Sequence, residues 1–169
     1  MFTQENQVKK FLLKWYSQNA RQLPWRNQNE KNLINPYFVF VSEFMLQQTS
    51  VSTVKNKFQE FIITWPNIQK LAQASEKQIL KFWSGLGYYT RARNLLKSAK
   101  LIKKKHNYNI PQSYEELILL PGIGDYTAKA ILGIAFNKSV MPLDANIERI
   151  LVRLHAIEKP ISKVKNKLK

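Results

Sequence analysis

Cysteine is absent from this chain of 169 residues. That excludes disulfides and thiolate metal sites. Histidine is nearly absent: His106 and His155 stand far apart with no ligand-spaced partner, and neither is assigned a role. Acid is scarce, with 11 Asp and Glu against 27 Lys and Arg, a net charge of +16. So basic a balance argues against an enzyme for small neutral substrates and for a polyanionic partner. No run approaches the roughly 18 apolar residues of a membrane span. The start, Met1 to Gln7, lacks the charged step and apolar stretch of a secretory signal. A cytoplasmic protein with no membrane partner is expected. Convincing strand patterns and fixed-period repeats are also missing.

What is present reads as helix. Hydrophobic residues make up 44% of the chain, enough for one good core or two small lobes. Gln7 to Ser17 places Val8, Phe11, Leu12 and Trp15 on one face. Leu23-Pro24-Trp25-Arg26 stops that helix, and a polar loop runs from Asn27 to Asn35. A second helix starts near Pro36, a third covers Val51 to Ile63, and Ser75 caps a fourth over Glu76 to Trp83. Gly85-Leu86-Gly87 precedes a long helix from Tyr88 to about Lys105. Ser113, with Glu116 three residues on, opens a short helix as a capping box. Further helices follow over Tyr126 to Phe136 and from Pro142 through Leu154, and Ser162 caps the start of another with Val164 and Leu168. The fold class expected is all-α.

Three features bear on chemistry. Glu43 falls mid-helix among apolar neighbours, a poor place for a carboxylate unless the helix lines a pocket. Pro121-Gly122-Ile123-Gly124 joins two helices by a Gly-x-Gly turn. Such a turn exposes N–H groups at a helix start, where the dipole favours a phosphate, although Gly-x-Gly alone also fits an ordinary connection and Asp125 beside it opposes an anion. Between Arg91 and Lys105 lie seven basic side chains and no acid. These suit nucleic acid, or else a solvated helix face.

In order along the chain, Leu23-Pro24-Trp25-Arg26, Ser42-Glu43 through Gln47-Gln48-Thr49, Trp83-Ser84-Gly85-Leu86-Gly87-Tyr88-Tyr89, Arg91-Ala92-Arg93-Asn94 and Leu120 to Asp144 form a set. The set resembles the helix-hairpin-helix DNA glycosylases, and within them the adenine DNA glycosylases of the MutY type, from about Phe11 to Ile157. The resemblance implies a six-helix barrel lobe over 36–141, with its hairpin at 113–136. It places 1–35 and 142–169 in a second lobe that is incomplete, so that apolar surface is left uncovered. It implies a monomeric, nucleoid-associated enzyme that removes adenine mispaired with 8-oxoguanine or guanine from double-stranded DNA. The base must leave the stack first.

By the same resemblance, Glu43 is the general acid that protonates adenine, with a pKa raised by its apolar flanks. Asp144 is the second carboxylate, facing the oxocarbenium ion and also capping a helix, and Asn146 orients Asp144 or a water. Gln48 and Tyr88 wedge into the duplex, and Thr49 and Leu86 lie beside 8-oxoguanine. Gly122, Gly124 and Arg91 meet DNA, while Trp25 and Arg26 approach the flipped adenine. Plain readings stand beside these: core packing for one of Tyr88 and Tyr89, and a helix stop with a surface arginine for Trp25 and Arg26. Tyr126 holds the position where endonuclease III-like members carry a Schiff-base lysine, which implies a monofunctional enzyme. The family's [4Fe-4S] cysteines would lie beyond Lys169, so no cofactor is expected on this chain. The alternatives are a thymine or uracil mismatch glycosylase, or a DNA-binding fragment without catalysis.

Overall fold

The computed structural model describes residues 4–28 and 33–158. Among them are nine α-helices and a single 3₁₀ turn, with one isolated bridge, Gln28 to Ile34, and no ladder. The order is α1 (Gln4–Asn19), the turn Pro24–Arg26, α2 (Pro36–Leu46), α3 (Val51–Thr64), α4 (Ile68–Gln73), α5 (Glu76–Phe82), α6 (Thr90–His106), α7 (Tyr114–Leu117), α8 (Asp125–Phe136) and α9 (Ala145–Leu154). The all-α expectation holds.

Capping residues set most of the boundaries. Asn35, Ser50, Asn67, Ser75, Ser113 and Asp144 each accept a backbone N–H at the start of a helix, worth about 1 kcal/mol apiece. At Ser75 the box is complete, with Gln78 returning the bond to the Ser75 N–H at 2.8 Å. At Ser113 it is not: the Glu116 carboxylate accepts from the Ser113 hydroxyl at 2.9 Å instead. Helix α4 was not anticipated. Its six residues are too few for periodicity to show, and only the Asn67 cap and buried Ile68 and Leu71 announce it.

Helix α2 is the centre of the core. Val39, Phe40, Val41, Phe44 and Met45 are all fully buried, and the helix packs on α3, α6, α8 and the 3₁₀ turn. A helix apolar on every side has no solvent face, so the two polar residues it carries, Ser42 and Glu43, go inside with it. Ser42 settles by donating to the Val39 carbonyl at 2.9 Å. Glu43 is left for the site.

The flanks are different. Phe11, Leu12 and Trp15 of α1 are exposed, Phe11 by 68%, as are Ile150 and Leu154 of α9. Apolar surface is thus uncovered on both elements. The helix expected at Ser162, with Val164 and Leu168, lies outside the described residues.

Candidate active site

Glu43 is 7% exposed, and its surroundings are chiefly hydrocarbon. Burial raises its pKa from the ordinary 4.5 to about 7, with the charge of Arg26 pulling the other way. The carboxyl therefore holds a proton near neutrality, as a general acid must. The Tyr126 hydroxyl is also raised, first by burial and then by the negative charges of Glu43 and Asp144. Arg26, Glu43, Tyr126 and Asp144, from the 3₁₀ turn, α2, α8 and the start of α9, are thus linked electrostatically. The Arg26 guanidinium is half-buried, with Nη1 3.5 Å from the Tyr16 hydroxyl and Nε without a partner. Asp144 caps α9, its Oδ1 accepting from the N–H groups of Asn146 at 2.9 Å and Ile147 at 2.8 Å. Asn146 thus meets Asp144 through its backbone, and its side chain is exposed.

Beside these residues sits the hairpin. Leu120 and Ile123 are buried and anchor it, which turns Gly122 outward with φ +83°. A Cβ there would stand 2.8 Å from both the Asn94 Cβ and the Phe44 ring, so glycine is required twice over, by backbone and by space. Gly124 begins α8 with open space around it and no side-chain cap. The helix start is open to an anion. Asp125, the acidic neighbour that opposes one, accepts from the Tyr114 hydroxyl at 2.8 Å and pairs with Lys129 at 3.1 Å, so its charge is largely offset. Lys129 one turn on from Asp125 was a readable signal for this pair. Two further residues hold the hairpin: Ser98 Oγ donates to the Pro121 carbonyl at 2.8 Å, and Gln47 Nε2 to the Gly122 carbonyl at 3.1 Å.

Gln48 and Tyr88, both exposed, have positive φ values of 58° and 47°. For residues with a Cβ this backbone costs on the order of 1 kcal/mol each, and such strain gathers at functional loops. Tyr89 is exposed too, so neither tyrosine is a core residue.

Three of the residues singled out from the sequence are buried. Trp25 is 1% exposed and packs edge-on against Phe58, with ring centres 5.2 Å apart, so most of its surface is spent on the core. Leu86 is also buried in the core, leaving Thr49 as the half-exposed member of that pair. Arg91 is the third. It is buried, and its guanidinium is taken up by backbone carbonyls. The other basic residues of that run, from Arg93 to Lys105, remain exposed. With no cysteine in the chain there is no thiolate for an iron–sulfur cluster, and no group of three or more His, Asp or Glu gathers among the described residues.

Comparison with known proteins shows the family. Residues 41–169 match the HhH-GPD superfamily of base excision DNA repair proteins. The chain is 48% identical over 147 residues to an adenine DNA glycosylase of Buchnera aphidicola subsp. Baizongia pistaciae, covering 86% of this chain and 40% of that protein. It is 43% identical over 150 residues to the adenine DNA glycosylase of Homo sapiens, covering 86% and 28%. The chain thus spans less than half the length of these relatives. Among solved structures it shares its fold with a thermostable thymine-DNA glycosylase (TM-score 0.76, 24% identity, 87% of this chain and 68% of that one). It shares it also with endonuclease III in a non-covalent DNA complex (TM-score 0.75, 20% identity, 99% and 77%). The chain belongs to the HhH-GPD superfamily of base excision DNA repair proteins.

Proposed function

We propose that this chain hydrolyses the N-glycosidic bond of adenine mispaired with 8-oxoguanine or guanine in duplex DNA, without cutting the strand. The carrying observation is the buried Glu43 carboxyl, with its pKa near 7, linked electrostatically with Tyr126 and Asp144 beside an uncapped helix start. Adenine, rather than another base, is favoured by relatives 38–48% identical that bear that activity in their names.

The hairpin holds a backbone phosphate at the start of α8, and the exposed lysines of α6 add attraction that reads no sequence. Gln48 and Tyr88 enter the gap left by the extruded adenine. Glu43 gives its proton to the imidazole-ring nitrogen N7 of the base, and the C1′–N9 electron pair departs with the ring. Neutral adenine leaves. The sugar cation is met by the Asp144 carboxylate until water adds at C1′, and the water's surplus proton restores the Glu43 acid. Tyr126 offers no amine, so no Schiff base forms and the strand stays intact.

The test is single-turnover release of adenine from a duplex with 8-oxoguanine opposite adenine, read as strand cleavage. Cleavage only after alkali is the expected result. Intact strands after alkali, despite salt-sensitive binding, would leave a DNA-binding fragment without catalysis.

A further inference from the structure

One buried guanidinium reaches both segments that carry the proposed wedge residues. Nη1 of Arg91 donates to the carbonyls of Met45 at 2.8 Å, Phe44 at 3.3 Å and Gln47. Nη2 donates to the carbonyls of Leu86 at 2.7 Å and Gly87 at 3.2 Å, and to Thr49 Oγ1 at 3.0 Å. Gln47 and Gly87 immediately precede Gln48 and Tyr88, both exposed and both with left-handed backbones. The guanidinium also lies 5.6 Å from the Tyr88 ring and 5.7 Å from the Trp83 ring, whose Nε1 donates to the same Gly87 carbonyl.

These contacts are more specific than a fold needs. Helix α2 has no basic residue in its last turn, so its carbonyl end is without a cation of its own until Arg91 arrives from α6. A lysine gathers its three donors on one nitrogen, whereas the planar guanidinium spreads five over a rigid fork wide enough to meet two backbone segments. The segments are far apart in sequence, with Arg91 46 residues from Met45 and 5 from Leu86.

We propose that Arg91 is a positioning residue for base extrusion: it clamps the peptides before Gln48 and Tyr88 to one another, so that both side chains are presented to the duplex together before DNA arrives. This rests on the proposed function, which supplies the extrusion step. An arginine bonded in this way has no free face for phosphate, so its part in DNA affinity is indirect. Preorganisation of two wedges by one clamp lowers the conformational cost of insertion.

The experiment compares the full chain with Arg91→Lys and Arg91→Gln, neither of which keeps the two-nitrogen fork. Three readings are taken: amide hydrogen exchange, affinity for undamaged duplex against salt, and extrusion, from the fluorescence of 2-aminopurine opposite 8-oxoguanine. Expected are faster exchange at 47–49 and 87–89 with α3 and α8 protected as before, and an unchanged salt slope. The extrusion rate falls at least about tenfold. A salt slope smaller by about one unit would make Arg91 a phosphate ligand and overturn the clamp. So would extrusion at the parental rate in a folded variant. If Arg91→Lys does not fold, Arg91→Gln carries the same three readings, and exchange rising in every helix rather than in the two segments counts against a local clamp. A parent chain that extrudes no base overturns the proposed function, and with it the role in extrusion. Paired loosening of the two segments would still uphold the clamp itself.

Discussion

Gly122 lies so close to Phe44 that a methyl group on its Cα would stand 2.8 Å from the ring. Phe44 follows Glu43 on α2, and Gln47 of the same chain segment bonds the Gly122 carbonyl. The hairpin is therefore seated directly on the helix that carries Glu43, and the Gly-x-Gly turn and the Glu43 carboxyl keep a fixed spacing.

Gly122 and Gly124 are then expected to respond differently to alanine. Gly122→Ala meets a left-handed backbone and two fixed neighbours, and should lower unfolding stability by about 2–4 kcal/mol. Gly124 has an ordinary φ of −98° and open space, so Gly124→Ala should change stability by less than about 1 kcal/mol while weakening duplex binding. Urea midpoints and binding titrations separate the two. Equal destabilisation by both would mean that the open start of α8 is not an anion site but a packed surface.

Glu43 ties stability to pH. Its folded pKa, about 7, lies above the ordinary 4.5, so the native state binds the proton more tightly than the unfolded chain. This contribution is fully present below about pH 4.5, is lost as pH rises to 7, and does not change further above it. The loss is on the order of 3 kcal/mol. Glu43→Gln should match the parent near pH 4 and exceed it at pH 8, with a higher melting temperature, intact duplex binding and no base release. In the parent, single-turnover release should fall tenfold per pH unit above about 7, on the basic side of the acid's titration. A variant melting no higher than the parent at pH 8 would show that Glu43 is not held in a desolvated place.

Asp144 has two duties that substitution can divide. Its Oδ1 accepts two N–H groups at the start of α9, and an asparagine amide oxygen accepts the same bonds. Asp144→Asn should leave stability within about 0.5 kcal/mol of the parent. It should cut the excision rate at least about a hundredfold, because the charge facing the sugar cation is gone. Asp144→Ala should lose the cap as well, about 1 kcal/mol. An Asn variant that excises at the parental rate would reduce Asp144 to a cap.

Apart from α4, the helices were legible in the sequence, as were the caps at Ser75, Ser113 and Asp144, because their causes are local. Ser, Asn and Asp precede apolar periodic stretches, and Glu43 declares itself as a carboxylate in an apolar run. The burial of Trp25, Leu86 and Arg91 was harder to read, for a different reason. Their directions are decided where distant segments meet, as when Arg91 reaches Thr49 across 42 residues. Yet one sign was present. Arg91 shares a helical face with Leu95, Ser98 and Ile102, all buried, whereas Arg93, Lys97, Lys100 and Lys104 share the exposed one. The phase of the helix distinguished the inward arginine from the outward bases, and a count of charge along the run could not.

Tyr126 offers the sharpest contrast between base removal and strand cutting. Its side chain is 42% exposed and within the influence of both Glu43 and Asp144, so a longer amine at that position reaches the same space. With Tyr126→Lys, the amine attacks C1′ as adenine departs, the sugar ring opens to a Schiff base, and borohydride reduces it to a stable amine linking protein and DNA. A covalent band should appear with the variant and not with the parent. Adenine release by the variant without any trapped band would place Tyr126 away from the attacked face of C1′. The absence of strand cutting in the parent would then come from the site's geometry, and not from the missing amine.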